Sequence, residues 1–332
     1  MRIRFIPTYP VSIAYGGQEV VQETLVDRLG AQQPDWDVAQ VDFAKREPLS
    51  DVYHIVGNSS SLQKIVSFIP QDIPIVLSVI DGVRDDQRIK RVLKRSLHWV
   101  SKHFQEETSY GQLSQLFGRM NKVLPLNARA ATFVQSRYGI DDDRIEIVPN
   151  GASSAFFERP DVAQRGILIS GSIIHRKATH EAISFGESPA GQSYHLHFVG
   201  GTQNNEMEYG TDCIERISRL KNATYHGYVA QHSDVFWQIF DSCRYLLQLS
   251  FEETQSLSAL EAIAGGKRCV FRRAPYSLAP PFDGCQSVTQ TTPEQIDAAL
   301  RAAESAPVER NVVKSWDEIA QQLVRIYREL HA

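Results

Sequence analysis

The sequence predicts an α/β protein of two domains, each a parallel sheet covered by helices. Three observations carry this. A chain of 332 residues is long for one core and comfortable for two. Short apolar runs of strand type alternate with amphipathic helical stretches, an order that builds parallel sheets. The alternation closes at Pro149-Asn-Gly151 and starts afresh at Gly166.

In chain order, Arg2 to Phe5 reads as the first strand. A loop with Pro7, Pro10 and Gly16-Gly17 leads to a helix whose apolar face is Val20, Val21, Leu25 and Leu29, closed by Gly30. Trp36 to Phe43, Asp51 to Val56 and Ile73 to Val79 are further strands, with a helix from Ser60 to Phe68. Arg84 to His103 carries seven Lys or Arg against Asp85 and Asp86, with Ile89, Val92, Leu93, Leu97 and Val100 on one helical face. Two readings of it stand side by side: a core-packed helix with a solvated basic face, and a surface helix drawn to anionic lipid with Trp99 at the boundary. Lys122 to Pro125 is a strand, Ala128 to Tyr138 a helix and Arg144 to Val148 a strand. Asp141 to Asp143 between them reads as a solvated turn.

The second series runs through the strand Gly166 to Ser170, the loop Gly171 to Lys177, the helix Ala178 to Phe185 and the strand His195 to Val199. His195 and His197 alternate on one face of that strand, two ligands with no third nearby and so a poor zinc site. Tyr245 to Ser250 and Arg268 to Phe271 are strands that bracket a helix from Ser256 to Ala264, closed by Gly265-Gly266. Pro293 to Ala303 and the terminal SWDEIAQQLVRIYREL are helices.

The composition is that of a globular protein, and a net charge of -4 gives no global pull toward nucleic acid. Cys213, Cys243, Cys269 and Cys285 have no C-x-x-C spacing and suit a reducing compartment. No run reaches the roughly 18 to 20 apolar residues of a spanning helix, and the opening residues do not read as a secretion signal. The expected location is the cytoplasm, with the inner membrane face added if the basic stretch binds lipid.

The chemistry is expected at FEETQSLSALEAIAGG, from Phe251 to Gly266. In a strand–loop–helix unit the carboxyl end of the strand meets the amino end of the helix at a ligand crevice, where free amides and the helix dipole favour an anion. Glu253 projects from the loop and Glu261 lies more than a turn into the helix. Spacing alone leaves two readings. Either the carboxylates hold two ends of one hydroxyl-rich anionic ligand, or Ser258 and Glu261 form a capping box and Glu253 is a solvated loop acid.

This stretch resembles the E-x7-E segment of retaining GT-B glycosyltransferases of the family 4 type. Other segments are similar to the same family. AYGGQEVVQETLVDRL looks like its first loop and helix, on the acceptor side of the cleft. DVYHIVGNSSS resembles its DVVHxH stretch, with His54 at the first histidine and Val56 and Ile80 in place of further histidines. SRYGIDDDRIEIVPNGASSAFF resembles the passage between domains, Ala223 to Val229 the F-x-G-x-V loop, and the last helix the one that crosses back to the first domain. Gly171-Ser-Ile-Ile-His-Arg-Lys177 is similar to G-R-L-x-x-x-K, with Ser172 at the arginine.

The resemblance implies two Rossmann-like domains facing a cleft, over 1–151 and 152–314, with 315–332 packing back on the first. It implies sugar transfer from a nucleotide-diphosphate sugar to a glycan or lipid-linked acceptor, with retention and with no metal or cofactor beyond that co-substrate. Lys177 and Glu253 would be catalytic. Gly17, Arg176, Gly227, Tyr228, Val229, Thr254, Gln255, Ser256, Leu257, Ser258 and Glu261 would bind the donor. His54 is expected to be structural. The alternatives are a non-catalytic subunit of the same fold that binds nucleotide or partner, and an NAD-dependent oxidoreductase, which the absence of G-x-G-x-x-G after any strand disfavours.

Overall fold

A computed structural model describes residues 1–8, 16–80, 109–161 and 164–332. They form two compact units: Met1–Asn150 with Trp316–Ala332, and Gly151–Ser315.

The first unit has a five-stranded parallel sheet in the order β2-β1-β3-β4-β5, from β1 Arg2–Ile6, β2 Asp37–Gln40, β3 Val52–Val56, β4 Ile75–Val79 and β5 Lys122–Pro125. β3 and β4 are buried on both faces, which is why they read as largely apolar runs, interrupted only by His54 and Ser78. Its helices are α1 Gly17–Gln32, α2 Leu62–Val66, α3 Ser109–Arg119 and α4 Ala128–Tyr138. Asn127 caps α4 by accepting from Ala130 N–H, and Gly139 ends it in the left-handed conformation with φ +67.

The expected strand Arg144 to Val148 runs along β5 as a bridge between Val123 and Ile145 and two further bonds, Glu146 N–H to the Val123 carbonyl and Val148 N–H to the Pro125 carbonyl, each 3.1 Å, while Arg144 itself is taken up by a turn of 3₁₀ helix at Asp142–Arg144. The basic stretch 84–103 falls outside the described residues. Among the described residues, no helix is long and apolar enough to cross a membrane.

The second unit has a six-stranded parallel sheet from β6 Gly166–Ser170, β7 His195–Val199, β8 Ala223–Gly227, β9 Cys243–Gln248, β10 Arg268–Arg272 and β11 Gln286–Val288. The order β11-β10-β9-β6-β7-β8 reverses direction between β6 and β9. Counted within the unit this is 3-2-1-4-5-6, the doubly wound Rossmann order, whose ligands bind beyond the carboxyl ends of the strands where the order reverses. Its helices are α5 Ser154–Phe157, α6 Thr179–Glu187, α7 Met207–Ser218, α8 Asp234–Ser242, α9 Leu257–Ala264 and α10 Pro293–Ser305.

The last helix, α11 Trp316–His331, belongs to the first unit. It packs along α1, where Gln32 donates to the Asp317 carbonyl at 2.8 Å and Arg28 pairs with Asp317 at 3.6 Å. Its fully buried Tyr327 hydroxyl bonds His54 Nδ1, and His54 Nε2 meets Ser78 Oγ at 2.8 Å. His54 is thus a satisfied core histidine. Burial holds its imidazole down to about 3.

Candidate functional site

Two loops that leave the neighbouring strands β6 and β9 build the site, so it lies at the reversal point of the second sheet. After β6, Gly171 takes φ +132, and a Cβ there would stand 3.3 Å from the Lys177 side chain. The turn of 3₁₀ helix His175–Lys177 follows. Glu206 anchors it by accepting from His175 N at 2.6 Å, with His175 Nδ1 2.9 Å away.

The loop after β9 is clasped to that turn. Phe251 N–H donates to the Arg176 carbonyl at 2.9 Å, and the Arg176 guanidinium donates to the Glu252 carbonyl at 2.7 Å. This brings both cations onto one carboxylate oxygen. Lys177 Nζ lies 2.6 Å and Arg176 Nη1 3.1 Å from Glu253 Oε1. The Glu253 side chain is only 10% exposed, so burial by itself pushes its carboxyl up. The charges of Lys177 and Arg176 outweigh that and hold it below its ordinary value. Glu253 is therefore not a solvated loop acid.

Three residues on, Ser256 is the N-cap of α9, yet its own side chain does not cap the helix. Its hydroxyl turns away and donates to Gln248 Oε1 at 2.7 Å. With the hydroxyl so engaged, Ser256 leaves the first amides and the positive dipole end of α9 unanswered by its own side chain. Ser258 Oγ lies 3.1 Å from Ser256 Oγ and does not form the expected capping box with Glu261. Glu261 instead accepts from the Gln231 side-chain amide, on the loop after β8. Desolvation raises the Glu261 carboxyl to about 8, and the Gln231 hydrogen bond opposes part of that rise.

The structure thus gathers Arg176, Lys177, Glu253 and the residues Thr254, Gln255, Ser256, Leu257 and Ser258 at the β6–β9 loops and the start of α9. Gln231 ties Glu261 to the loop that carries Gly227 at φ +66, exposed Tyr228 and half-buried Val229. Gly17, the first residue of α1, belongs to the other unit. Sequence reasoning missed Gln231, which no periodicity marks, and the buried Tyr276, whose hydroxyl donates to the Ser250 carbonyl at 3.3 Å.

One expectation needs correcting. A third histidine does approach His195 and His197, because strand pairing sets β8 beside β7 and leaves His226 Nε2 3.1 Å from His197 Nδ1. The rings bond one another, Thr224 and Ser242 rather than converging on a point. Among the described residues, no group of three His, Cys, Asp or Glu is arranged to hold a metal ion.

No protein-family model matches the chain, and no curated protein matches it in sequence. Solved structures do. Anabaena Alr3699/HepE, in complex with UDP and glucose, superposes with a TM-score of 0.70 at 15% identity, covering 99% of this chain and 100% of that one. Sucrose-phosphate synthase from Thermosynechococcus elongatus gives 0.69 at 15% identity, with 99% and 98% covered. A glycosyltransferase from Rickettsia africae gives 0.68 at 13% identity, again with 99% and 98% covered. These likenesses run the length of the chain and show its fold, GT-B with two Rossmann-like α/β domains.

Proposed function

We propose that the chain is a glycosyltransferase that moves a sugar from a nucleoside-diphosphate sugar to a glycan or lipid-linked acceptor, with the second unit binding the donor. The observation that carries the reading is the pairing of Lys177 and Arg176 with Glu253 at the reversal point of a Rossmann-ordered sheet, three residues before a helix whose N-cap side chain turns away from it. Breaking a glycosyl bond builds negative charge on the departing diphosphate. Two cations and the amino end of α9 are the groups that stabilise such charge.

In this reading Glu253 accepts from donor-sugar hydroxyls, while Thr254 to Ser258 present backbone to the diphosphate. Glu261 accepts from the ribose, and Gly227 to Val229 meet the base. Arg176 supplies the second cation that Ser172 does not. With those charges supplied by the chain, the reading requires no divalent ion and no cofactor beyond the donor, and it assigns retention at the anomeric carbon. The basic run 84–103 would draw the enzyme to anionic lipid bearing the acceptor.

HepE has been solved with UDP-glucose, which supports UDP sugars as the first donors to try. The test is a thermal-shift screen across nucleotide sugars, followed by turnover of the best donor with and without chelator and by the configuration of the product. A donor that raises the melting temperature and is turned over equally with chelator supports the reading. Activity that is lost with chelator and restored by metal overturns the metal-free part, and an inverted product overturns retention.

Ser172 favours a second reading, a binding subunit that has kept the fold and lost catalysis. A donor that stabilises the protein but is neither transferred nor slowly hydrolysed would decide for it.

A further inference from the structure

At the far end of α9 from Glu253, the amino ends of β10 and β11 lie side by side. Val270 pairs with Gln286 and Phe271 with Ser287 in this parallel ladder. Carrying the register back one step sets Cys269 beside Cys285. Neighbouring positions of a parallel pair leave the sheet on the same face, and both thiols do so. Cys269 belongs to the apolar cluster of Phe271 and Phe282, and Cys285 packs against that same cluster. The Cys269 thiol donates to the Lys267 carbonyl at 3.7 Å, beside this pair. Both line a cavity of about 210 Å3 whose walls include Ile263, Ala303 and Val312. Cys269 is buried and Cys285 half-buried, so a reagent reaches the pair through Cys285.

We propose that Cys269 and Cys285 are a modification site, a dithiol that closes to a disulfide by exchange with a small dialkyl disulfide such as oxidised glutathione. The Cys285 thiolate attacks one sulfur of the reagent, the reagent's S–S bond breaks, and one glutathione leaves as its thiolate. Cys269 then gives up its proton to solvent and attacks the Cys285 sulfur, releasing the second glutathione thiolate. Two cysteines are oxidised by two electrons, and one disulfide is reduced to two thiols.

The geometry suits the step. Paired strands run about 4.8 Å apart, inside the roughly 4.4 to 6.8 Å between Cα atoms that a disulfide spans. The neighbouring Cys269 thiol holds the Cys285 thiol below its ordinary value, while burial holds Cys269 well above it. That is the asymmetry of an attacking and a resolving thiol. The closed form would fasten β11, a strand of only three residues, to its neighbour. None of this rests on the glycosyl-transfer reading.

The test uses the full-length folded protein in oxidised glutathione, with free thiols counted after denaturation and the linked peptides mapped. Expected is a fall from four free thiols to two, a Cys269–Cys285 link and no retained glutathione. Cys269→Ser should stop at a glutathione adduct on Cys285, Cys285→Ser should keep its three thiols, and Cys213→Ser should still form the link. Four persistent thiols, a lasting adduct in the wild type, or a link to Cys213 or Cys243 would overturn the proposal. Peptide mapping of the wild type decides alone if a variant does not fold.

Discussion

Lys177 and Arg176 converge on a single oxygen of Glu253, at 2.6 and 3.1 Å. Two cations against one carboxylate leave the cluster with an excess positive charge, in a place where Glu253 and Lys177 are largely screened from solvent. An anion entering there meets uncompensated charge held in advance, so little of its binding energy goes to reorganising the protein.

Lys177→Ala should therefore lower turnover of the donor at least 100-fold, about 2.7 kcal/mol, the lower range for losing one preorganised charge-stabilising group. Arg176→Ala should cost less, since its side chain is 44% exposed against 18% for Lys177. Steady-state kinetics on the identified donor checks both. Near-wild-type rates in the two variants would remove these cations from the leaving-group role.

Glu253→Gln should act on turnover rather than on affinity for free nucleoside diphosphate, because its carboxylate faces the cations and not the Gln231 loop. Glu261→Gln should weaken the free nucleotide as well, with each hydrogen bond to a charged group contributing roughly 1.5 to 3 kcal/mol. Calorimetric titration with the diphosphate separates them. Equal losses of nucleotide affinity in both variants would refute the division of labour.

Glu261 also predicts a proton count. Desolvation raises its carboxyl to about 8, so at pH 7 it is mostly protonated. Ribose hydroxyls donating to it would favour the carboxylate, and nucleotide binding should release part of a proton. Titrations in two buffers of different ionisation enthalpy measure the release. No difference between the buffers, or uptake of a proton, would contradict the ribose contact.

Acid should destabilise the second unit through its histidines. Burial holds His197 down to about 4 and also lowers His226, with neighbouring His195 adding charge repulsion to both. A histidine depressed in the folded state binds its proton more readily when unfolded, so its share of stability is present above the ordinary value of about 6.5 and is lost as pH falls toward 4. Urea midpoints of wild type and His197→Gln, compared from pH 6.5 to 5, should converge as pH falls. A constant gap would show that His197 is protonated equally in both states.

Lys267 is 1% exposed, and among the described residues its ammonium has no hydrogen-bond partner; the Phe240 ring lies 4.4 Å from Nζ. Burial lowers it to about 8. Lys267→Met should stabilise the protein at pH 7 by roughly 1 to 4 kcal/mol, as replacing buried ionic groups with apolar ones often does. The gain should shrink as pH rises from 8 toward 10.5, where the wild-type lysine is neutral when folded but still charged when unfolded. Chemical unfolding at pH 7 and 10 reads both, and a less stable variant at pH 7 would show that the cation–π contact outweighs desolvation.

The sheets were legible because parallel strands are buried on both faces and read as apolar runs. β6 and β7 have the bounds expected for them. The Arg144 to Val148 run has the same composition and lies along the β5 edge, but the 3₁₀ turn that claims Arg144 shortens it, and composition does not record that turn. In the site, Glu253, Glu261 and Lys177 were visible as residue types at a family spacing. Arg176 was visible only as a neighbour of Lys177, since its contact with Glu253 depends on the turn at His175–Lys177. Gln231 and His226 were not legible as partners, because each meets its partner through sheet order, about thirty positions away in the chain. The ionisation of Glu261 is likewise set by elements that close over it and not by its own segment.

The return of α11 to the first unit makes that unit discontinuous along the chain, with the second unit spliced into it. A ribosome would deliver the whole second unit before the helix that completes the first. Until residues 316–331 emerge, the face of α1 that α11 covers is bare, and His54 lacks the Tyr327 hydroxyl that closes its hydrogen bonding. The first-born half of a nascent chain would thus be the last to finish, and a premature stop ahead of Trp316 would strip the first unit of its closing helix while leaving every residue of the Lys177–Glu253 cluster translated.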